Sequence, residues 1–225
     1  MANPFLWPIN ILSPREFMMD IAPRSLAGPS SVSGIGQVAA SDAGIWKASY
    51  GGIPVVNCQS ITLWRALNTL LEGRMNSVAV PYSMRCQPFS SDWDSVHDGV
   101  PHSDGSPFAD SGLYQSRLID VRLTSNIPLR GTTANIAMHN AFNLQPGQVF
   151  SIKDRLYRIR TLQMTGENTA TITFRPPARE AASAGSEMEF DRPVCRMRLA
   201  TDAEMDLPLD YGRWSFPTVN FIEDV

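Results

Sequence analysis

The amino-acid sequence predicts a mainly β protein with one helix, and three observations lead to this fold class. Short segments that alternate apolar and polar residues recur through the second half of the chain. Seventeen prolines and fifteen glycines interrupt the sequence often enough to favour strands and turns over long helices. A single segment carries the apolar spacing of an amphipathic helix. We therefore expect an antiparallel β sandwich or barrel with one flanking helix and long loops.

Length and composition fit one β-rich domain, which we take to span residues 1–225. Hydrophobic residues make up 43% of the chain, enough to bury a core, while charged residues make up only 18%. So small a charged fraction suggests that other subunits cover part of the surface. The formal net charge of -3 gives no broad cationic field, so nucleic acid is not expected as the main partner.

The predicted helix spans residues 60–73. Its apolar residues project onto an arc roughly 120° wide, with polar residues on the opposite side. Ser60 or Thr62 can cap its start and Gly73 can end it. The face expected to cover the core consists of Leu63, Trp64, Leu67, Leu70 and Leu71.

Strands are predicted wherever apolar residues alternate with polar ones, because successive side chains of a strand point to opposite faces. Turns are expected at 145–147, where a Pro-Gly pair occurs, and at 165–168, where the spacing predicts a hairpin. The strand patterns lie at 119–123, 157–161, 170–174, 195–199 and 219–221.

Two further segments with separate predictions lie near the start of the chain. Residues 1–14 form an apolar terminal arm, which we predict to pack as a strand on its own domain or on a neighbouring subunit. Residues 22–36 are rich in Pro, Ser and Gly and are predicted to form an extended arm or loop.

Cellular location can also be addressed from the sequence. No apolar run approaches the roughly 20 residues that span a bilayer, and Met1 to Asn10 lacks the pattern of a signal peptide. We expect no membrane insertion and synthesis in a cytoplasm. Cys58, Cys86 and Cys195 form no CxxC pair and are interpreted as buried thiols rather than as disulfides.

The longest irregular segment is an acidic loop at residues 83–112. Its carboxylates offer oxygen ligands and its two histidines offer nitrogen, but their spacing matches neither a calcium hand nor a helical zinc pair. We therefore expect a solvated loop with no metal or cofactor, in which Trp93 is a possible glycan or interaction residue. The weak metal-ligand candidates are Asp92, Asp94, His97, Asp98, His102, Asp104 and Asp110.

Catalysis is not expected. The sequence contains no GxSxG elbow, no HExxH, no P-loop and no dinucleotide fingerprint after a strand. Two alternatives to a structural role stay open at this point. One is a carbohydrate-binding module that uses Trp93 and the acidic loop, and the other is a hydrolase without a recognisable motif.

Three segments resemble proteins of tailed bacteriophages, in particular small distal tail and tail-tip proteins. Ser60 to Pro81 resembles a passage in which a helix, a Gly-Arg pair and a strand follow one another. Ala170 to Glu180 resembles a strand that enters a Pro-Pro-x-Arg corner, and Gly212 to Val225 resembles a closing strand that ends in Phe-x-Glu. Together these segments cover about a fifth of the chain.

The resemblance implies a β sandwich or barrel of the tail-tube type that assembles into a hexameric ring at the end of the tail. It also implies a structural virion protein of the phage tail, made in the host cytoplasm, which docks neighbouring tail proteins at the distal tail or baseplate. A ring forms when one surface of each subunit meets a different surface of the next.

Overall fold

A computed structural model describes residues 4–30, 36–82, 86–88, 106 and 119–225. The chain forms two compact units where the sequence led us to expect one domain. Unit 1 comprises Met1–Ser83, Asp154–Leu156 and Val194–Val225, and unit 2 comprises Met84–Lys153 and Tyr157–Pro193. The chain therefore leaves unit 1 after the first third of its length and returns to it twice.

The fold is mainly β with one helix among the described residues, as predicted. That helix is too short to cross a membrane. The elements in chain order are β1 (Phe5–Leu6), β2 (Glu16–Ser30), β3 (Gly36–Gly51), α1 (Cys58–Leu71), β4 (Val78–Pro81), β5 (Asp120–Leu123), β6 (Thr133–Asn140), β7 (Val149–Ile152), β8 (Arg155–Met164), β9 (Thr169–Arg175), β10 (Val194–Leu199) and β11 (Val219–Glu223).

Each unit is built on one sheet. In unit 1 the strand order is β1-β4-β10-β11-β3-β2, with β1 parallel to β4 and the other pairs antiparallel. In the second sheet the strand order is β5-β6-β9-β8-β7. The first two residues of β8, Arg155 and Leu156, belong to unit 1. All five predicted strand patterns lie on strands, and the predicted hairpin at 165–168 joins β8 to β9.

Aromatic rings fill the core of unit 1. Trp7 makes edge-on contacts with Tyr50, Trp64 and Phe221, at centroid distances of 6.1, 6.4 and 5.3 Å. Trp7 is completely buried because β1 pairs with β4 in register Phe5 to Val78, which draws the terminal segment onto the sheet. The apolar arm thus packs on its own unit, and its first three residues lie outside the described part of the chain.

Unit 2 has a separate core between its sheet and the segments that follow β9. Tyr157 and Phe174 contact each other edge-on at 5.1 Å, and Phe150 lies against both rings and against Phe190. The inward residues of β5, β6 and β9 complete this cluster, which includes Val121, Ile136 and Ile172. For β5 and β9, the alternation predicted from the sequence therefore places the correct faces inward.

The helix begins at Cys58, two residues earlier than predicted. Asn57 is its N-cap, because the Asn57 side chain accepts a hydrogen bond from the Ser60 backbone N–H at 2.8 Å and the Ser60 hydroxyl accepts one from the Asn57 N–H at 3.2 Å. Ser60 is thus the N3 residue of a capping box and not the N-cap. Glu72, in the left-handed region at φ 47°, ends the helix one residue before Gly73.

The predicted core face of the helix is too wide by one residue. Trp64, Leu67 and Leu71 are buried, Leu63 is half-buried, and Leu70 is 47% exposed. At about 100° per residue, Leu70 lies roughly 90° from the centre of the buried face, so it projects to solvent.

Two further predictions are correct only in part. Of the predicted extended arm or loop at 22–36, the described residues 22–30 and 36 are extended, but they belong to β2 and β3 and not to a loop. Only Cys195 is a buried thiol, whereas Cys58 and Cys86 are exposed. Cys58 is the first residue of the helix, where side chains project into solvent, and Cys195 lies on the inward face of β10.

Candidate assembly surfaces

The first surface is the part of the β2–β3 hairpin that extends past the rest of its sheet. β11 pairs with β3 only over Lys47–Tyr50, while β2 lies at the edge of the sheet. Beyond the pair Ala22–Ile45, the two strands stay paired with each other as far as Ser30 and Gly36. We call residues 22–30 and 36–45 the ribbon.

The ribbon keeps its pairing despite two prolines. The register shifts between Ala22 and Arg24 and again between Ala27 and Ser30, so that Pro23 and Pro29 fall within the irregular steps. A bulge leaves a residue out of the hydrogen-bond ladder, which is where a proline without an N–H can be accommodated. Pro23, Arg24 and Ser25 are exposed.

The second surface is a row of exposed apolar side chains. Val55 and Ser215 exchange two backbone hydrogen bonds of 2.9 Å, and both side chains point inward and are buried. Their neighbours on these two segments therefore point outward. The outward side chains are Val56, Trp214 and Phe216, which are 51%, 39% and 45% exposed.

Tyr211 extends this row. The backbone bends back between Asp210 and Trp214 through Tyr211 and Gly212, whose φ angles of 50° and 68° both lie in the left-handed region. The Tyr211 ring is 91% exposed and lies with its centroid 6.0 Å from that of Trp214. We call Val56, Tyr211, Trp214 and Phe216 the aromatic strip.

A cation borders the aromatic strip. The guanidinium carbon of Arg15 lies 4.5 Å from the centroid of the Phe216 ring, within the range of a cation–π contact. Arg213 is exposed in the turn that carries Tyr211. Trp, Tyr and Arg are the residue types enriched among the energetic anchors of protein interfaces.

The two surfaces lie at opposite ends of the same pair of strands. The Arg15 N–H donates a hydrogen bond to the Gly51 carbonyl at 3.0 Å, and the Ile53 N–H donates one to the Pro217 carbonyl at 3.0 Å. The aromatic strip therefore adjoins the end of the hairpin at which Glu16 pairs with Gly51. The described ribbon reaches the other end, at the pair Ser30–Gly36.

A group of charges stabilises the sheet on which both surfaces are built. Asp224 accepts hydrogen bonds from Arg196 at 3.1 Å and from Arg198 at 2.8 Å. Glu223 accepts one from the Trp46 backbone N–H at 3.0 Å. Because these carboxylates are almost fully buried and bound by donors on β10 and β3, we assign them a structural role.

Two pKa shifts are clear in unit 1. Burial raises the pKa of Tyr50 well above its ordinary value, and its hydroxyl donates a hydrogen bond to the Pro81 carbonyl. Hydrogen bonds from Arg74 lower the pKa of Asp202, and both side chains of this pair are well exposed. Neither group adjoins the aromatic strip along the chain, and neither suggests an acid–base centre.

The residues singled out in the acidic loop cannot be placed. Asp92, Trp93, Asp94, Asp98 and Asp104 all lie outside the described residues, as do the other metal-ligand candidates of this loop. Among the residues that are described, no three His, Cys, Asp or Glu side chains lie close enough together to hold a metal ion.

Sequence reasoning did not identify the aromatic strip. Trp214 and Phe216 lie in the segment Gly212 to Val225, but their exposure depends on which way a short strand faces. Comparison with known proteins adds no assignment, because no protein-family model matches this chain and no curated protein is significantly similar to it.

Proposed function

We propose that this protein is a non-enzymatic structural subunit that assembles with copies of itself, as a ring-forming component of a phage tail. The observation that carries the proposal is the ribbon, in which β2 and β3 stay paired beyond the point where β11 stops pairing with β3. The three segments that resemble distal tail and tail-tip proteins support the placement in a tail.

The ribbon is an unusual feature for a subunit that acts alone. A two-stranded ribbon without further strands is marginally stable in water, and among the described residues no third strand pairs with residues 22–30 or 36–45. Arg24 and Asp42 are the only charged residues at positions 22–45, so few charges keep it solvated. Contact with a neighbouring subunit supplies the missing cover.

The size of the ribbon suits a subunit contact. The nine residues of β2 and ten residues of β3 in the ribbon extend about 30 Å, and two paired strands are roughly 10 Å wide. Its two faces together therefore offer about 600 Å², which approaches the roughly 800 Å² per partner of a stable interface.

The finer assignment follows from the resemblance and is part of the proposal. The subunits form a hexameric ring of the tail-tube type at the distal tail or baseplate, where the ring docks other tail proteins in the virion. A heterologous contact that closes on itself produces such a ring.

Removing the ribbon tests the proposal. In the test variant, Asn-Gly replaces residues 23–44, so that a tight turn joins Ala22 to Ile45, which are paired in the intact protein. We expect the intact protein to sediment as a multiple of 24.8 kDa and the variant to sediment as a folded monomer. A control with Ala in place of Phe142, an exposed aromatic residue of unit 2, should assemble normally.

Two results count against the proposal. One is an intact protein that remains monomeric at high concentration and is missing from purified virions. The other is a truncated variant that assembles as well as the intact chain. Circular dichroism and thermal unfolding of the variant establish that any loss of assembly does not arise from misfolding.

A further inference from the structure

We infer that the ribbon of one copy covers the aromatic strip of the next copy, so that the subunits associate head to tail. This inference rests on the proposed function and adds to it the surface that receives the ribbon. It assigns a role to the exposed side chains of Val56, Tyr211, Trp214 and Phe216.

The first argument is the position of the two surfaces on one pair of strands. β2 contains 15 residues, so its two ends are about 50 Å apart. Arg15 and the aromatic strip lie at its start, and the described ribbon reaches Ser30 at its end. An extended strand cannot bring its own two ends together. The ribbon of a second copy can reach the strip, and such contacts are heterologous, as a ring requires.

The second argument is chemical complementarity. The aromatic strip presents three rings and one aliphatic side chain, with cations only at its border. The sequence of the ribbon consists mainly of Ala, Pro, Gly, Ser and aliphatic residues. Small residues and prolines let a backbone approach the flat faces of aromatic rings closely, and the near absence of charge limits the cost of desolvation.

The third argument concerns the geometry of the rings. A saccharide that stacks across several aromatic residues needs ring faces that lie roughly in one plane. The rings of Tyr211 and Trp214 are instead inclined by 54°, and Val56 adds an aliphatic group to the row. An uneven apolar surface of this kind fits a protein segment better than a sugar ring.

Site-directed cross-linking tests the inference. Ser replaces the two exposed cysteines, Cys58 and Cys86, to remove background reaction. One population then carries Ser25→Cys on the ribbon, and a second, differently tagged population carries Arg213→Cys beside the aromatic strip. Both positions are exposed. The populations are mixed and treated with a short bismaleimide, and we expect cross-links that join the two tags.

Substitutions in the strip make the test specific. Tyr211→Ala and Trp214→Ala should each reduce the yield of mixed cross-links by about tenfold or more, as expected for an interface anchor. Phe142→Ala is the matched control and should leave the yield unchanged, because this exposed aromatic residue belongs to unit 2. Tyr211 is so exposed that its truncation should not affect folding. If Trp214→Ala does not fold, Tyr211→Ala alone therefore tests the strip.

The outcomes separate this inference from the proposed function. If the protein assembles through its ribbon but mixed cross-links do not form and both strip variants assemble normally, the inference is wrong and the proposed function stands. If the protein does not assemble at all, both fail. Binding of a glycan that is lost in the strip variants, with assembly intact, would also overturn the inference.

Discussion

Two leucines of α1 allow a direct test of the structure, because the same substitution should have very different effects three residues apart. Leu67 is 2% exposed and Leu70 is 47% exposed. Leu67→Ala and Leu70→Ala remove the same atoms and change helix propensity by the same small amount. The difference between the two variants therefore measures burial alone.

The magnitude follows from the environment of each side chain. Leu67 lies on the buried face of the helix with Trp64 and Leu71, so its truncation leaves a cavity and should cost about 2–5 kcal/mol of unfolding free energy. Leu70 projects to solvent, and its truncation should change stability by no more than about 0.5 kcal/mol.

Urea unfolding followed by tryptophan fluorescence measures the effect in the correct unit. Trp7, Trp46, Trp64 and Trp214 all belong to unit 1, which also contains the helix. Substituting Phe for Trp93 in every variant removes the only other source of tryptophan emission. Equal destabilisation by Leu67→Ala and Leu70→Ala would refute the assignment of the helix faces, and so would a larger effect at Leu70.

Three further predictions concern the ends of the helix. Asn57→Ala removes the N-cap and should cost about 1 kcal/mol of unfolding free energy in the same assay. Glu72→Gly should raise stability by up to about 1 kcal/mol, because glycine adopts the left-handed conformation found there without a side-chain clash. Arg74→Ala should raise the pKa of Asp202 toward its ordinary value, as measured by carbon NMR of the carboxyl group, because hydrogen bonds from Arg74 hold that pKa down. Any stability that this exposed pair contributes is present above the ordinary pKa of an aspartate and is lost as the pH falls through the lowered pKa of Asp202. If Arg74 stabilises the protein only at low pH, this account is wrong.

Much of the fold could be predicted from the sequence because local patterns determine it. Strands β9 and β10 alternate apolar and polar residues, and each buries the side that the pattern indicates. In the helix, Trp64, Leu67 and Leu71 recur at helical spacing and are buried. In both cases the signal lies within one element and needs no knowledge of what the element packs against.

The pairing within the ribbon could not be predicted in this way, because the signal lies between two segments and not within one element. Residues 22–30 carry prolines, serines and a glycine, which are typical of loops. The structure keeps these residues paired with β3 by placing Pro23 and Pro29 at shifts of register. Backbone pairing alone imposes no alternation of apolar and polar residues on a sequence.

The aromatic strip departs further from what the sequence pattern predicts, because there the polar residue faces inward and the apolar residues face solvent. In the tripeptide Trp214-Ser215-Phe216, the alternation predicts that the aromatic rings face the core and that the serine faces solvent. The structure places Ser215 inward, paired with Val55, and leaves both rings exposed. Turning this segment over would bury the rings but would break the pairing of Ser215 with Val55. A chain that keeps large aromatic side chains on the solvent side of a short strand incurs a cost in solubility. The proposed contact with the ribbon of another copy would remove that cost, and for this reason the orientation of this segment supports the proposal more directly than the exposure of any single ring.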